Sequence, residues 1–195
     1  MNGPDRLPCR SLLHAELLAM PAASAAAASD PNRSLLASMM AGHGAGEGCL
    51  PGHLGLGTVR YAQVLVEYFP DVPLRTAECS AQDIPANIPE REDLQKLLLD
   101  HRAATRASEC WIADIVASAC AGRDHLWQDL GLASRDELSR LMDLNFPELA
   151  RANRSDMKWK KFLYRQFCAR EGIYLCPAPS CGECKDHAKC FGPEN

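Results

Sequence analysis

No uncharged apolar stretch in this 195-residue sequence is long enough to cross a bilayer; the longest near the N-terminus is interrupted by Pro21. A secretory leader is not expected either, because His14 and Glu16 break the apolar run of Leu12, Leu13, Leu17 and Leu18. The glycines between residues 42 and 57 are not followed by Gly-Lys-Ser/Thr, so there is no phosphate loop. There is no G-x-S-x-G nucleophile elbow and no H-E-x-x-H zinc helix, and no catalytic constellation emerges. The reading is therefore not an enzyme. Aromatics are sparse at 6%, and no run alternates as strands do. The formal net charge of −4 argues against general nucleic-acid binding.

What remains is helical. With 47% hydrophobic residues the chain can bury a core, and its length suits one domain. Residues 1–50 read as a flexible segment: Ala22 to Ala28 is nearly all alanine, and Gly42, Gly44, Gly46 and Gly48 follow. A transient helix can form there, with Asp30 as cap, Pro31 at its first position and Gly42 at its end. From about Thr58 to Phe69, Tyr61, Leu65 and Tyr68 recur at helical spacing until Pro70. A proline-rich connector leads to Pro89. Glu90, Glu92 and Asp93 then crowd a helix start, where the dipole favours negative charge. Leu94, Leu97, Leu98, His101, Ala104, Trp111, Ile112 and Ile115 fall on one face, with an internal break allowed before Gly122. A short turn or helix runs from His125 to Gly131. Ser134 to Glu137 has the form of a capping box. Pro147 opens a short piece, and a last helix spans about Asp156 to Arg170, striped by Trp159, Phe162, Leu163 and Phe167. The expected fold is all-α: a small helical domain over 51–195, ending in an irregular cysteine-rich metal-binding loop over 173–195.

The chemistry concentrates in that loop. Cys176, Cys181, Cys184 and Cys190 form C-x4-C-x2-C-x5-C, and Pro177, Pro179 and Gly182 let the backbone bend around a centre. Four thiolates so close suit an iron–sulfur cluster or zinc. A single C-x2-C, without the second knuckle usual in zinc sites, favours iron and sulfide. Dense exposed thiols with no metal would oxidise. Cys181-Gly-Glu-Cys184 as a redox dithiol would need a βαβ setting, which is absent. His187, inside the last spacer, reads first as an exposed loop residue and second as an additional metal ligand. The remaining cysteines (Cys9, Cys49, Cys79, Cys110, Cys120 and Cys168) are scattered singly. With a metal site in place of disulfides, they indicate a reducing cytoplasm. Cys120 and Cys168 read as core packing, and the pair Cys120 and His125 is too few for a metal cage. Lys158, Lys160, Lys161, Arg165 and Arg170 form a basic stretch leading into the loop. Its plain reading is the solvated face of a helix, and its functional one attraction of an oxyanion or acidic partner.

Certain residues together resemble the NifQ family: His125-Leu-Trp-Gln-Asp-Leu-Gly-Leu132, Phe146-Pro-Glu-Leu149, Met157-Lys-Trp-Lys-Lys-Phe162, the four-cysteine run and its Cys190-Phe-Gly-Pro-Glu194 ending. The resemblance covers roughly residues 105 to 195. It implies a nitrogen-fixation protein of the cytoplasm that carries an iron–sulfur cluster able to include molybdenum. Such a protein donates molybdenum for biosynthesis of the nitrogenase iron–molybdenum cofactor. The implied ligands are Cys176, Cys181, Cys184 and Cys190. The implied partners are the scaffold on which the cofactor matures and the nitrogenase iron protein. The residues by themselves leave two alternatives, a small iron–sulfur electron-transfer protein and a zinc-stabilised interaction module.

Overall fold

The computed structural model describes residues 9–73, 90–170, 172 and 187–191. Among these there are helices and turns and no strand, as the periodicity predicts. In chain order the helices are α1 (Arg10–Ala19), α2 (Ala25–Ser29), α3 (Asn32–Gly44), α4 (Gly57–Tyr68), α5 (Arg91–Asp100) and α6 (Glu109–Ala119). There follow α7 (Leu126–Asp129), α8 (Arg135–Asn145), α9 (Pro147–Ala152), α10 (Trp159–Arg170) and α11 (His187–Phe191).

The centre is α6. Every residue from Ile112 to Ala119 is buried, which marks a helix enclosed on all sides rather than one lying on a surface. Around it pack Leu35, Leu36 and Met39 of α3, Leu94 and Leu98 of α5, Leu138, Leu141 and Met142 of α8, and Phe162 and Leu163 of α10, in one continuous apolar cluster.

Residues 9–50, the described part of the segment expected to be flexible, carry three helices packed into the body. Alanine and glycine richness suggests too little side chain to repay ordering, yet α1 packs on α3, and Leu35 and Leu36 are fully buried. Two things explain it. The small residues allow close approach: Gly42 lies so near Gly131 that a Cβ there would come within 2.2 Å of the Gly131 carbonyl oxygen. A buried polar network then fixes the register. The Asn32 amide donates to Asn145 Oδ1 at 2.7 Å and Asn145 returns the bond at 2.9 Å. Asn32 also donates to Ser108 Oγ at 2.8 Å, and Ser108 and the Tyr68 hydroxyl both donate to Asp30. Buried amides so paired satisfy each other, whereas an unmatched partner would lose about 1–3 kcal/mol. Asp30 also accepts the Asn32 N–H at 2.9 Å, the expected capping role, but α3 runs two residues past Gly42.

The anticipated break between Pro89 and Gly122 lies at residues 101–108. There the buried Glu109 carboxylate accepts the N–H groups of Ala104, Thr105 and Arg106 at 2.7, 3.0 and 2.9 Å, so the carboxylate satisfies amides that no helical turn satisfies. The capping box at Ser134 is shifted by one residue. Ser134 Oγ accepts the Glu137 N–H, but Glu137 reaches back to the Ala133 N–H at 2.8 Å and accepts from Ser38 of α3. The end of the cysteine-rich stretch, expected to be irregular, is helical over His187–Phe191. Replacing Gly42 with alanine should cost about 3 kcal/mol, the upper end of the usual cost of overpacking, because two backbones rather than a flexible side chain must move apart. Chemical denaturation of Gly42→Ala would report this as a lowered midpoint, and an unchanged midpoint would contradict the close contact.

Candidate metal centre

Of the five candidate ligands, the described residues hold two. Cys176, Cys181 and Cys184 lie outside them. His187 and Cys190 are three apart on α11, so their side chains leave the same side of that helix. The His187 ring stacks on Phe191, with centroids 4.4 Å apart and planes 19° from parallel. Cys190 and Phe191 are half-buried and pack on the main core. The main-chain N–H of Lys158, just before α10, donates to the Cys190 carbonyl at 2.8 Å. One cysteine of the run is thus tied to the helical body by its backbone, leaving its thiol as a separate function. A soft thiolate and an imidazole side by side fit a transition-metal or iron–sulfur centre. Among the described residues no group of three or more His, Cys, Asp or Glu side chains converges as a metal cage, so any centre has to draw on the cysteines before α11.

The basic stretch resolves into different roles. Lys160 turns inward: its ammonium donates to the Gly122 carbonyl at 2.9 Å and pairs with the buried Asp129 carboxylate. Arg170 pairs with Asp100 at 2.7 Å. Lys161 and Arg165 are four apart on α10, which aligns them on one side, and Lys158 immediately precedes that helix.

Beneath Lys160 lies an arrangement that sequence reasoning missed. The main-chain carbonyl of Asp129 accepts the Cys49 N–H at 3.0 Å, and the Cys49 thiol points to the Ala119 carbonyl at the end of α6, 4.0 Å away. Burial first, then the Asp129 charge, pushes the Cys49 thiol up to about 12. Burial does the same to Cys120, to about 12, against the opposing pull of Lys160. A Cβ at Gly122 would come within 2.3 Å of the Asp129 carboxyl group, so only glycine admits that carboxylate. Removing one partner of such a buried pair leaves a charge stranded, at a cost of about 3–5 kcal/mol. Residues 49, 120, 122, 129 and 160 have no shared motif, and no periodicity links them. Cys120 and Cys168 are buried, in keeping with the packing role read for them. His125 caps α7, with its N–H donating to Gln128 Oε1 at 3.1 Å.

A family model described as NifQ matches residues 35–192. Protein NifQ of Azotobacter vinelandii is 45% identical over 160 residues, covering 76% of this chain and 82% of that protein. The corresponding figures are 39% over 148 residues for the Protein NifQ homolog of Sinorhizobium fredii, with 76% and 64% covered. For Protein NifQ of Rhodobacter capsulatus they are 35% over 150 residues, with 77% and 82% covered. No solved structure matches the chain.

Thiol reactivity follows from this environment, since thiolate rather than thiol reacts. Cys9, exposed at the start of α1, is pulled below the usual thiol value by its hydrogen bond with Ser11 and then by the amides of Ser11 and Leu12. Iodoacetamide at pH 8 should therefore consume Cys9 at least about a hundredfold faster than Cys49 or Cys120. Peptide mass mapping of the native protein would measure it, and equal rates would mean that the Asp129 cluster is open to solvent.

Proposed function

Because the chain belongs to the NifQ family, we propose that it serves nitrogen fixation as a non-enzymatic carrier. Its cargo is molybdenum, donated for biosynthesis of the nitrogenase iron–molybdenum cofactor. The observation that carries this reading is the C-x4-C-x2-C-x5-C run, complete and inside the matched span 35–192.

The chemistry is consistent with it. Molybdate is a hard oxyanion, and its metal must enter sulfur coordination before it joins a sulfide cluster. An iron–sulfur cluster held by Cys176, Cys181, Cys184 and Cys190 supplies sulfide and thiolate around such a guest. The chain's part is to present thiolates from a stretch that carries Pro177, Pro179 and Gly182, while anchoring one of them, Cys190, to the body through the Lys158 N–H. His187 lies on the same side of α11 as Cys190, its ring stacked on Phe191, and is the further ligand this reading proposes. A carrier releases what it holds, so a centre built on a loop suits the role better than one sealed in the core.

The partners in this reading are the scaffold on which the cofactor matures and the nitrogenase iron protein. Lys158, Lys161 and Arg165 border the anchored end of the cysteine run and give an acidic partner a surface to approach. Lys160 does not belong to that surface.

Two experiments test this reading. Protein purified without oxygen should contain iron and acid-labile sulfide and accept molybdenum. Single Cys→Ala changes at Cys176, Cys181, Cys184 and Cys190 should each lower metal content, read by elemental analysis and EPR, and full loading of all four variants would refute the ligand set. His187→Ala should alter the EPR spectrum if the imidazole is a ligand and leave it untouched if it is not. Iron that cycles between oxidation states without passing molybdenum on would indicate electron transfer, and a colourless zinc-loaded protein an interaction module. Charge reversal at Lys161 and Arg165 should slow transfer several-fold and flatten its salt dependence. Transfer at the unaltered rate would dismiss the docking surface.

A further inference from the structure

We infer that Lys160, through Asp129, is a positioning residue for the metal centre. It fixes the first turn of α10, whose leading amide at Lys158 holds the backbone of the ligand Cys190. This inference rests on the reading that Cys190 binds metal.

A continuous set of bonds supports it. Cys49 is joined to Asp129 through its N–H, which donates at 3.0 Å to the main-chain carbonyl. The Asp129 carboxylate, 2% exposed, pairs with the Lys160 ammonium, and that ammonium also donates to the Gly122 carbonyl at 2.9 Å. Two residues earlier the Lys158 N–H donates to the Cys190 carbonyl at 2.8 Å. Two separate parts of the chain, the corner after α6 and the end of α7, thus hold one lysine at the second position of α10, and the Cys49 loop is bonded to the second of them. Lys160 is a long, entropically costly side chain to bury. Among the described residues, the side chains of Lys158 and Lys161, the basic residues nearest it in sequence, make no such attachment to the body. Core packing alone does not explain why a charged residue holds this turn, since Trp159, Phe162 and Leu163 already seat the helix in apolar contact. The ammonium adds direction: it fixes the rotation and axial position of the first turn, and with them the point at which the Lys158 N–H meets α11.

The arrangement needs no metal to form. It predicts that the Cys190 end of the ligand set is placed on the body before loading, and that loosening Lys160 disturbs the centre without unfolding the core.

Lys160→Met tests this, together with the double variant Asp129→Asn/Lys160→Met, which strands no charge, and Lys160→Arg, which keeps a cation able to reach both acceptors. In metal-free protein, hydrogen exchange at the Lys158 amide should rise roughly tenfold in Lys160→Met and in the double variant while α8 keeps its protection, and Lys160→Arg should restore much of the difference. In loaded protein, both uncharged variants should lose metal to a chelator several-fold faster and broaden the cluster's EPR signal. Unchanged exchange at Lys158 in the double variant would overturn the inference, and so would faster exchange with unaltered metal retention and spectrum, since Lys160 would then serve the fold alone. Wild-type protein that binds no iron or molybdenum would defeat the carrier reading, whereas the exchange experiment on metal-free chain would still decide whether the clamp exists.

Discussion

A carboxylate in a nearly dry position sets a strict condition on its surroundings, and Asp129 is that carboxylate. Burial of an ionised group is tolerated only with a counter-charge and hydrogen bonds in place. Here the requirement draws Lys160 in from α10 and a glycine at position 122, while the Cys49 amide from the loop after α3 bonds the main chain of the same aspartate. Segments far apart in sequence must meet correctly for one charge to be accommodated. Apolar packing around α6 supplies cohesion without direction; the ion pair and the Asn32–Asn145 exchange determine which helix turns face which.

This separation of roles decides what a reader of the sequence can and cannot find. Elements governed by local rules were legible. Gly57–Tyr68, Arg135–Asn145, Pro147–Ala152 and Trp159–Arg170 follow from periodicity, a serine cap and a proline start, all within a few residues. The break before α6 was visible as a possibility, but not the Glu109 carboxylate that gathers its amides. The N-terminal helices were hidden because composition measures what a segment brings and not what it meets. Ala- and Gly-rich helices become stable when backbones can come as close as Gly42 and Gly131 do. Lys160 was hidden for a related reason. In a basic stretch each lysine carries the same sign, and only the position of a distant aspartate separates the one turned inward from those turned out.

The four cysteines, by contrast, carry their signal locally, since metal-binding spacing is a property of a short peptide. Of the candidate ligands, His187 and Cys190 have a described setting, and it adds what spacing cannot: α11 places both on one side, and the backbone of Cys190 is bonded to the start of α10.

That attachment bears on how a metal donor can combine retention with release. A loop whose ligands all hang free pays the full ordering entropy on loading and binds weakly for its donor strength. A cage preformed on rigid elements holds well but resists surrender. Anchoring one ligand lies between these. In the proposed carrier the fixed end would lower the number of chain conformations to be lost on loading, while the other three cysteines would be able to give way in turn as a partner offers its own ligands. Lys158 sits where these demands meet, its amide bonded to the carbonyl of Cys190, a proposed ligand, and its position three residues before Lys161 of the face proposed for docking. A partner that engages this face therefore acts close to the backbone bond that sets the anchored cysteine, so docking and loosening of the centre can be coupled through a single turn of α10.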